Sequence, residues 1–115
     1  MTSVTLYHNP RCSKSRQTRT LLEEHDVDFT IIEYLETPPS ADQIRTLAKL
    51  LDVQVRNITR TGESEYEIQQ LADADNDQLA EAIAKTPILL QRPIVVKGNQ
   101  ARVGRPPEAV LELLD

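Results

Sequence analysis

Two β-rich stretches flank one helix-length segment at the start of the chain, and no other feature narrows the possible folds as far. Val4 and Leu6 alternate with polar residues up to His8, the period-two pattern of a half-buried strand. Asn9-Pro10 then breaks the strand. From Ser13 to about His25 the composition turns helical, with Thr18, Leu21, Leu22 and His25 three or four apart. Residues 27–35 are β-branched and aromatic enough to predict a second strand. Strand, helix and strand in that order make a right-handed crossover between parallel neighbours.

Pro38-Pro39 closes this section, and Ser40-Ala41-Asp42-Gln43 reads as a capping box, Ser as N-cap and Gln reaching back. Ile44, Leu47, Leu50 and Leu51 share one face of the helix that follows. Residues 55–58 predict a short helical turn, residues 60–62 a polar loop and residues 65–71 a further helix. Asn76 or Asp77 is expected to cap a helix carrying Leu79, Ile83 and Ala84, ending before Pro87. Residues 94–96 and 101–103 predict a hairpin turning at Gly98-Asn99. Pro106-Pro107-Glu108 opens a last helix with Val110, Leu111 and Leu114 facing inward. The order β-α-β, helices, β-β-α predicts an α/β chain of thioredoxin-like arrangement. It reads as a single domain over residues 1–115, with thioredoxin-like parts at 1–35 and 86–115 and a helical insertion at about 36–85.

Length and charge exclude several classes. A chain of 115 residues suits one domain. With 39% hydrophobic and 27% charged residues it is neither a disordered tail nor a collagen-like repeat. No apolar run approaches the ~18–20 residues of a membrane span. Lys and Arg number 13 against 18 Asp and Glu, a net charge of -5, so bulk attraction to nucleic acid or an anionic membrane is disfavoured. Three Tyr, one Phe and no Trp leave no stacking platform for single-stranded nucleic acid. The first residues carry neither a basic stretch nor a long apolar one, so a cytoplasmic protein with a reduced thiol is expected, and nothing suggests more than a monomer.

Chemistry concentrates at one residue. Cys12 is the single cysteine, so no internal disulfide, all-cysteine zinc site or iron–sulfur cluster is available, and no metal site is expected. It falls between the first strand and the first helix, where unpaired backbone N–H groups and the helix dipole favour the thiolate. Arg11, Lys14 and Arg16 add positive charge, and His8 precedes the loop. The alternative is a small inert cysteine packed as a hydrophobe. The polar neighbours at 9–11 and 13–15 favour the reactive reading. Ser15 stands where a dithiol motif has its second cysteine, so an outside thiol must resolve whatever Cys12 captures. A phosphatase-type loop would need arginine at the position of Thr18, with Arg16 too early and Arg19 too late. Arg60, Arg92 and Arg105 each stand beside structure-breaking residues. Singly, each reads as a solvated surface charge, but three that converged would form an oxyanion or carboxylate pocket. The Arg92-Pro93 bond leads into a strand, where X-Pro bonds can be cis.

His8-Asn9-Pro10-Arg11-Cys12-Ser13-Lys14-Ser15-Arg16, Tyr34-Leu35-Glu36-Thr37-Pro38, Arg92-Pro93-Ile94-Val95-Val96 and Gly104-Arg105-Pro106-Pro107 resemble, in order, the blocks of the glutaredoxin-coupled arsenate reductase family. The likeness is to its YfgD-like branch in particular. The resemblance implies a thioredoxin-like fold with Pro93 at the cis-proline position, and reduction of arsenate to arsenite. It implies Cys12 as nucleophile, His8 favouring its thiolate, and Arg60, Arg92 and Arg105 binding the oxyanion. No bound cofactor is implied; glutathione would serve as co-substrate reductant and glutaredoxin as partner. One departure is Ser13-Lys14, where family members tied to arsenic resistance usually carry Gly-Thr. Two other readings remain. The chain is also similar to Spx-type regulators that bind RNA polymerase and sense thiol oxidation, but those carry a Cys-x-x-Cys switch that Ser15 removes. A general thiol oxidoreductase would instead process glutathione mixed disulfides, its arginines binding carboxylates.

Overall fold

Strand β1, Val4–His8, is the hub of the first half of the chain in the computed structural model, which describes residues 3–114. Val4, Leu6 and His8 alternate as its buried residues. Helix α1, Ser13–Glu24, buries Ser15, Thr18 and Leu22, whereas Leu21 is half-buried and His25 exposed. Strand β2 is only Thr30–Glu33, shorter than the predicted 27–35. Asp26 turns the chain at a φ of 53°, and Val27 and Phe29 pack on the core ahead of the strand. After β2 the amides of Glu36 and Thr37 both donate to Glu33 O, each at 2.9 Å, which closes a turn. Apolar residues that dock on a core and apolar residues that pair in a sheet look alike in sequence, hence the overlong expectation.

Strands β3, Ile94–Lys97, and β4, Gln100–Val103, form the expected hairpin. Gly98, at a φ of 62°, takes the first position of its two-residue turn, where a positive φ suits glycine. The sheet order is β2-β1-β3-β4, with β1 parallel to β2 and antiparallel to β3. This α/β topology is thioredoxin-like. Val4, Leu6, Leu22, Val95, Val110 and Leu113 form a core that joins sheet, α1 and the chain's last element. That element is a 3₁₀ helix, Pro107–Leu113, rather than an α-helix. At three residues per turn, Pro107, Val110 and Leu113 fall on one side, and these are its buried residues. Leu111 and Leu114, expected inside, are half-buried.

The chain divides into two units, Met1–Thr37 with Arg92–Asp115, and Pro38–Gln91. In the second unit α2, Ala41–Leu51, begins with the predicted box: Ser40 Oγ accepts from Gln43 N at 3.1 Å and Gln43 Oε1 from Ser40 N at 2.9 Å. A 3₁₀ turn covers Val55–Ile58. The expected helix at 65–71 is divided into α3, Ser64–Ile68, and a 3₁₀ turn, Leu71–Asp73, by Gln70 at a φ of 55°. Helix α4, Asn76–Lys85, is capped by Asp75 and not by Asn76 or Asp77. Asp75 Oδ1 accepts from Gln78 N at 2.8 Å while Gln78 Oε1 accepts from Asp75 N at 2.9 Å, so the position of Gln78 selects among three neighbouring cap formers. Among the described residues no helix is long and apolar enough to cross a membrane.

Candidate active site

Sheet register decides which residues share the end of the sheet where β1 stops. Ile94 pairs with Val103 across the hairpin, so continuing the register two residues beyond the pair sets Arg92 opposite Arg105. Tyr7 pairs with Ile94, which carries the loop after β1 to the same end. Cys12 N donates to Asn9 O at 3.0 Å, and Arg11 N donates to Asn9 Oδ1 at 3.0 Å, so the buried Asn9 shapes the loop that delivers the thiol. Cys12 is the N-cap residue of α1, extended at φ -95° and ψ 124°, and is half-buried.

Arg105 Nη2 lies 3.6 Å from Cys12 Sγ. Its Nε donates to Arg92 O at 2.8 Å, which aims the guanidinium. Burial of the sulfur pushes the Cys12 pKa up. The backbone N–H of Ser15, the Arg92 guanidinium and the backbone N–H of Lys14 outweigh it, and the thiol ends below an ordinary cysteine. These are the unpaired groups at the positive end of a helix together with a cation, the combination that favours thiolate.

His8 is 2% exposed. Its Nδ1 is 2.7 Å from Ser15 Oγ, which also accepts from Asn9 N at 3.0 Å. Burial, reinforced by Arg19 and Arg16 and opposed by Glu33, holds its pKa below that of a free imidazole. His8 is therefore neutral at neutral pH, with Nδ1 and Ser15 Oγ sharing one hydrogen bond. The geometry links His8 to the thiol through Ser15, whose backbone N–H favours the thiolate. The sequence places Ser15, with Arg16 and Pro93, among the structural residues of the loop and helix N-terminus, in the position of a missing second cysteine, but does not pair it with His8. The signal for its buried role was its place in the first turn of α1, seven residues after His8.

The Arg92–Pro93 and Arg105–Pro106 peptide bonds are both cis. Gly104 N donates to Pro93 O at 2.9 Å. A Cβ on Gly104 would lie 2.5 Å from Thr18 Oγ1 and 2.7 Å from Pro93 Cγ, so only glycine fits between α1 and Pro93. Its close fit sets the approach of Arg105, and sequence reading did not single it out. Arg16 Nη1 donates to Pro10 O at 2.9 Å, bracing the loop from the exposed side. Arg60 belongs to the other unit. There its Nε donates to Glu63 Oε1 and its Nη1 to Gln91 Oε1, each at 3.1 Å, so its fork is held in a fixed orientation. The structure thus brings Cys12, Arg92 and Arg105 together, with His8 and Ser15 behind the thiol. Among the described residues no group of three or more His, Cys, Asp or Glu side chains is placed to hold a metal ion.

The ArsC family profile matches residues 7–113. The chain is similar to the uncharacterized protein YfgD of Escherichia coli (strain K12), at 46% identity over 96% of each chain. It is also similar to a Haemophilus influenzae protein named arsenate reductase, at 43% identity over 97% of this chain and 99% of that one. The solved structure of an arsenate reductase from Vibrio cholerae superposes with a TM-score of 0.93 at 46% identity, covering 96% of this chain and 97% of the other. A profile match across nearly the whole chain and relatives at this identity leave one conclusion: the protein belongs to the ArsC family.

Proposed function

We propose that the protein is an arsenate reductase that draws its electrons from glutathione, with glutaredoxin completing the cycle. The observation that carries this reading is Cys12, a thiol at the start of a helix, with its pKa lowered and Arg105 Nη2 3.6 Å from the sulfur. The thiolate attacks arsenic(V), a sulfur–arsenic bond forms, and one arsenate oxygen leaves as water. Arg92 and Arg105 neutralise the oxyanion and hold the charge that develops as the bond forms. The family resemblance adds Arg60 to the oxyanion ligands. Glutathione thiolate then attacks Cys12 Sγ. The sulfur–arsenic bond breaks with its electron pair kept by arsenic, which leaves as arsenite, and two thiols have become one mixed disulfide. A glutaredoxin thiolate takes the glutathione sulfur and returns Cys12 as thiolate. His8 acts through Ser15 as a positioning residue.

The test is NADPH consumption with glutathione, glutaredoxin and glutathione reductase, as arsenate is varied. The parent is expected to saturate with arsenate, and Cys12→Ser to fall to the rate without protein. Equal rates for the two would sink the reading. A Cys12-dependent rate on a glutathionylated test disulfide with none on arsenate would favour the general oxidoreductase.

A further inference from the structure

An open groove of about 490 Å³ runs along the exposed side of α1 and is bounded across from it by Glu108 of the 3₁₀ helix Pro107–Leu113. From the thiol end outward, α1 contributes Ser13, Arg16, Gln17, Thr20 and Glu24. Ser13, at one end of the groove, directly follows Cys12 in the chain. Its volume is that of a small-molecule site. The run from Ser13 to Glu24 spans ~16 Å of helix at 1.5 Å per residue, more than the ~11 Å of an extended tripeptide.

The charges are sorted along the groove. Arg16, one turn from the thiol, has its fork anchored by the bond from Nη1 to Pro10 O and keeps most of its five N–H donors for a partner. The carboxylates, Glu24 and Glu108, are the only acidic side chains among the residues of the groove. Glutathione carries charged groups on the two arms that flank its thiol. The short arm ends in the glycine carboxylate. The longer γ-glutamyl arm ends in an ammonium beside a second carboxylate.

We propose that this groove seats glutathione for its attack at Cys12, with Arg16 taking the glycine carboxylate and Glu24 and Glu108 facing the γ-glutamyl ammonium. The inference rests on the reading of glutathione as reductant. The same seat serves a second exchange, in which Cys12 thiolate attacks glutathione disulfide. The Cys12–glutathione bond forms, the old disulfide breaks, and glutathione thiolate leaves.

That exchange gives a test without arsenate. The rate constant for Cys12 glutathionylation by glutathione disulfide is measured by mass spectrometry and divided by that for hydroxyethyl disulfide, which is neutral. The ratio cancels any change in the reactivity of the thiol itself. It is compared between the parent and the double variant Glu24→Lys/Glu108→Lys, whose sites are exposed and tolerate the change. Glutathione disulfide is a net anion, so added lysines should speed it if only the long-range field mattered. A seated ammonium requires the opposite, a fall of about tenfold in the ratio. A ratio that is unchanged or rises overturns the proposal. Failure of arsenate turnover is a separate result, against the reductase reading alone.

Discussion

Arg56 and Arg105 both reach for backbone carbonyls, in different units of the molecule, and the result is opposite. Arg56 directs Nη1 to Tyr66 Oη and Nη2 to Ala74 O, and both nitrogens approach Leu71 O at 3.4 Å. Its fork is consumed in pinning α3 and the turn Leu71–Asp73 to the residues behind them. Arg105 commits only Nε, to Arg92 O, and turns Nη2 to the thiol sulfur. One guanidinium is structural because its donors are filled by the protein. The other is chemical because part of its fork faces a nucleophile. What an arginine does depends on what its fork meets, and that is a property of chain geometry and not of the residue's neighbours in sequence.

The largest expected effects separate the two. Arg105→Lys removes a planar fork that a point charge cannot replace, and should lower arsenate turnover by ~10²–10³-fold, as loss of one donor to a developing charge does. Its urea midpoint should move little, since the side chain is exposed. Arg56→Met should do the reverse, costing ~2–3 kcal/mol of stability through carbonyls that lose a charged donor, with turnover per folded molecule kept. Measuring kcat and the urea midpoint for both variants tests the contrast; matching losses of turnover would break it.

Gly104→Ala comes next in size. The new Cβ has to displace Thr18 or Pro93, and overpacking of this kind costs ~1–3 kcal/mol. Because Arg105 follows directly, turnover should fall further than stability accounts for. A midpoint equal to the parent's would show that the α1–Pro93 contact yields more easily than its distances imply.

Gly104 also illustrates what sequence reading could reach. The box at Ser40 and Gln43 was legible because it is complete within four residues. Three cap formers in a row, Asp75, Asn76 and Asp77, blurred the next helix by one position until the bond from Gln78 was seen. Cys12 was legible from its place between strand and helix. The pairing of Arg92 with Arg105 was open to inference too, since the two stand equally far from the Gly98-Asn99 turn, but it required the hairpin register. The contact of Gly104 with Thr18, and that of His8 with Ser15, lie between separate elements. Nothing in local pattern encodes them.

The thiol's surroundings make a smaller prediction. Iodoacetamide labelling of Cys12 against pH should show a midpoint below the ~8.5 of a free thiol, because helix N–H groups and Arg92 outweigh burial. Arg92→Gln should move that midpoint up, whereas Arg56→Met should leave it in place. A midpoint in Arg92→Gln equal to the parent's would assign the thiolate to the helix end and Arg105.

The smallest effect belongs to His8 and is read as a slope. Burial first, then Arg19 and Arg16, hold the folded-state pKa of His8 below its unfolded value of ~6.5. Between the two values the unfolded chain binds more protons than the folded one, so stability rises with pH there. The contribution is complete above the unfolded value and is lost as pH falls through the folded one. Urea unfolding at intervals from pH 7.5 to pH 5 should therefore show a steeper acid-side loss in the parent than in His8→Gln, whatever their difference at pH 7.5. Carboxylates that titrate in the same window are common to both proteins and cancel in the difference. Parallel curves would mean that His8 gains its proton without cost, so that burial does not hold it neutral. In that case the link from His8 to the thiol would carry charge, and the comparison between a filled and an open guanidinium would extend to the imidazole.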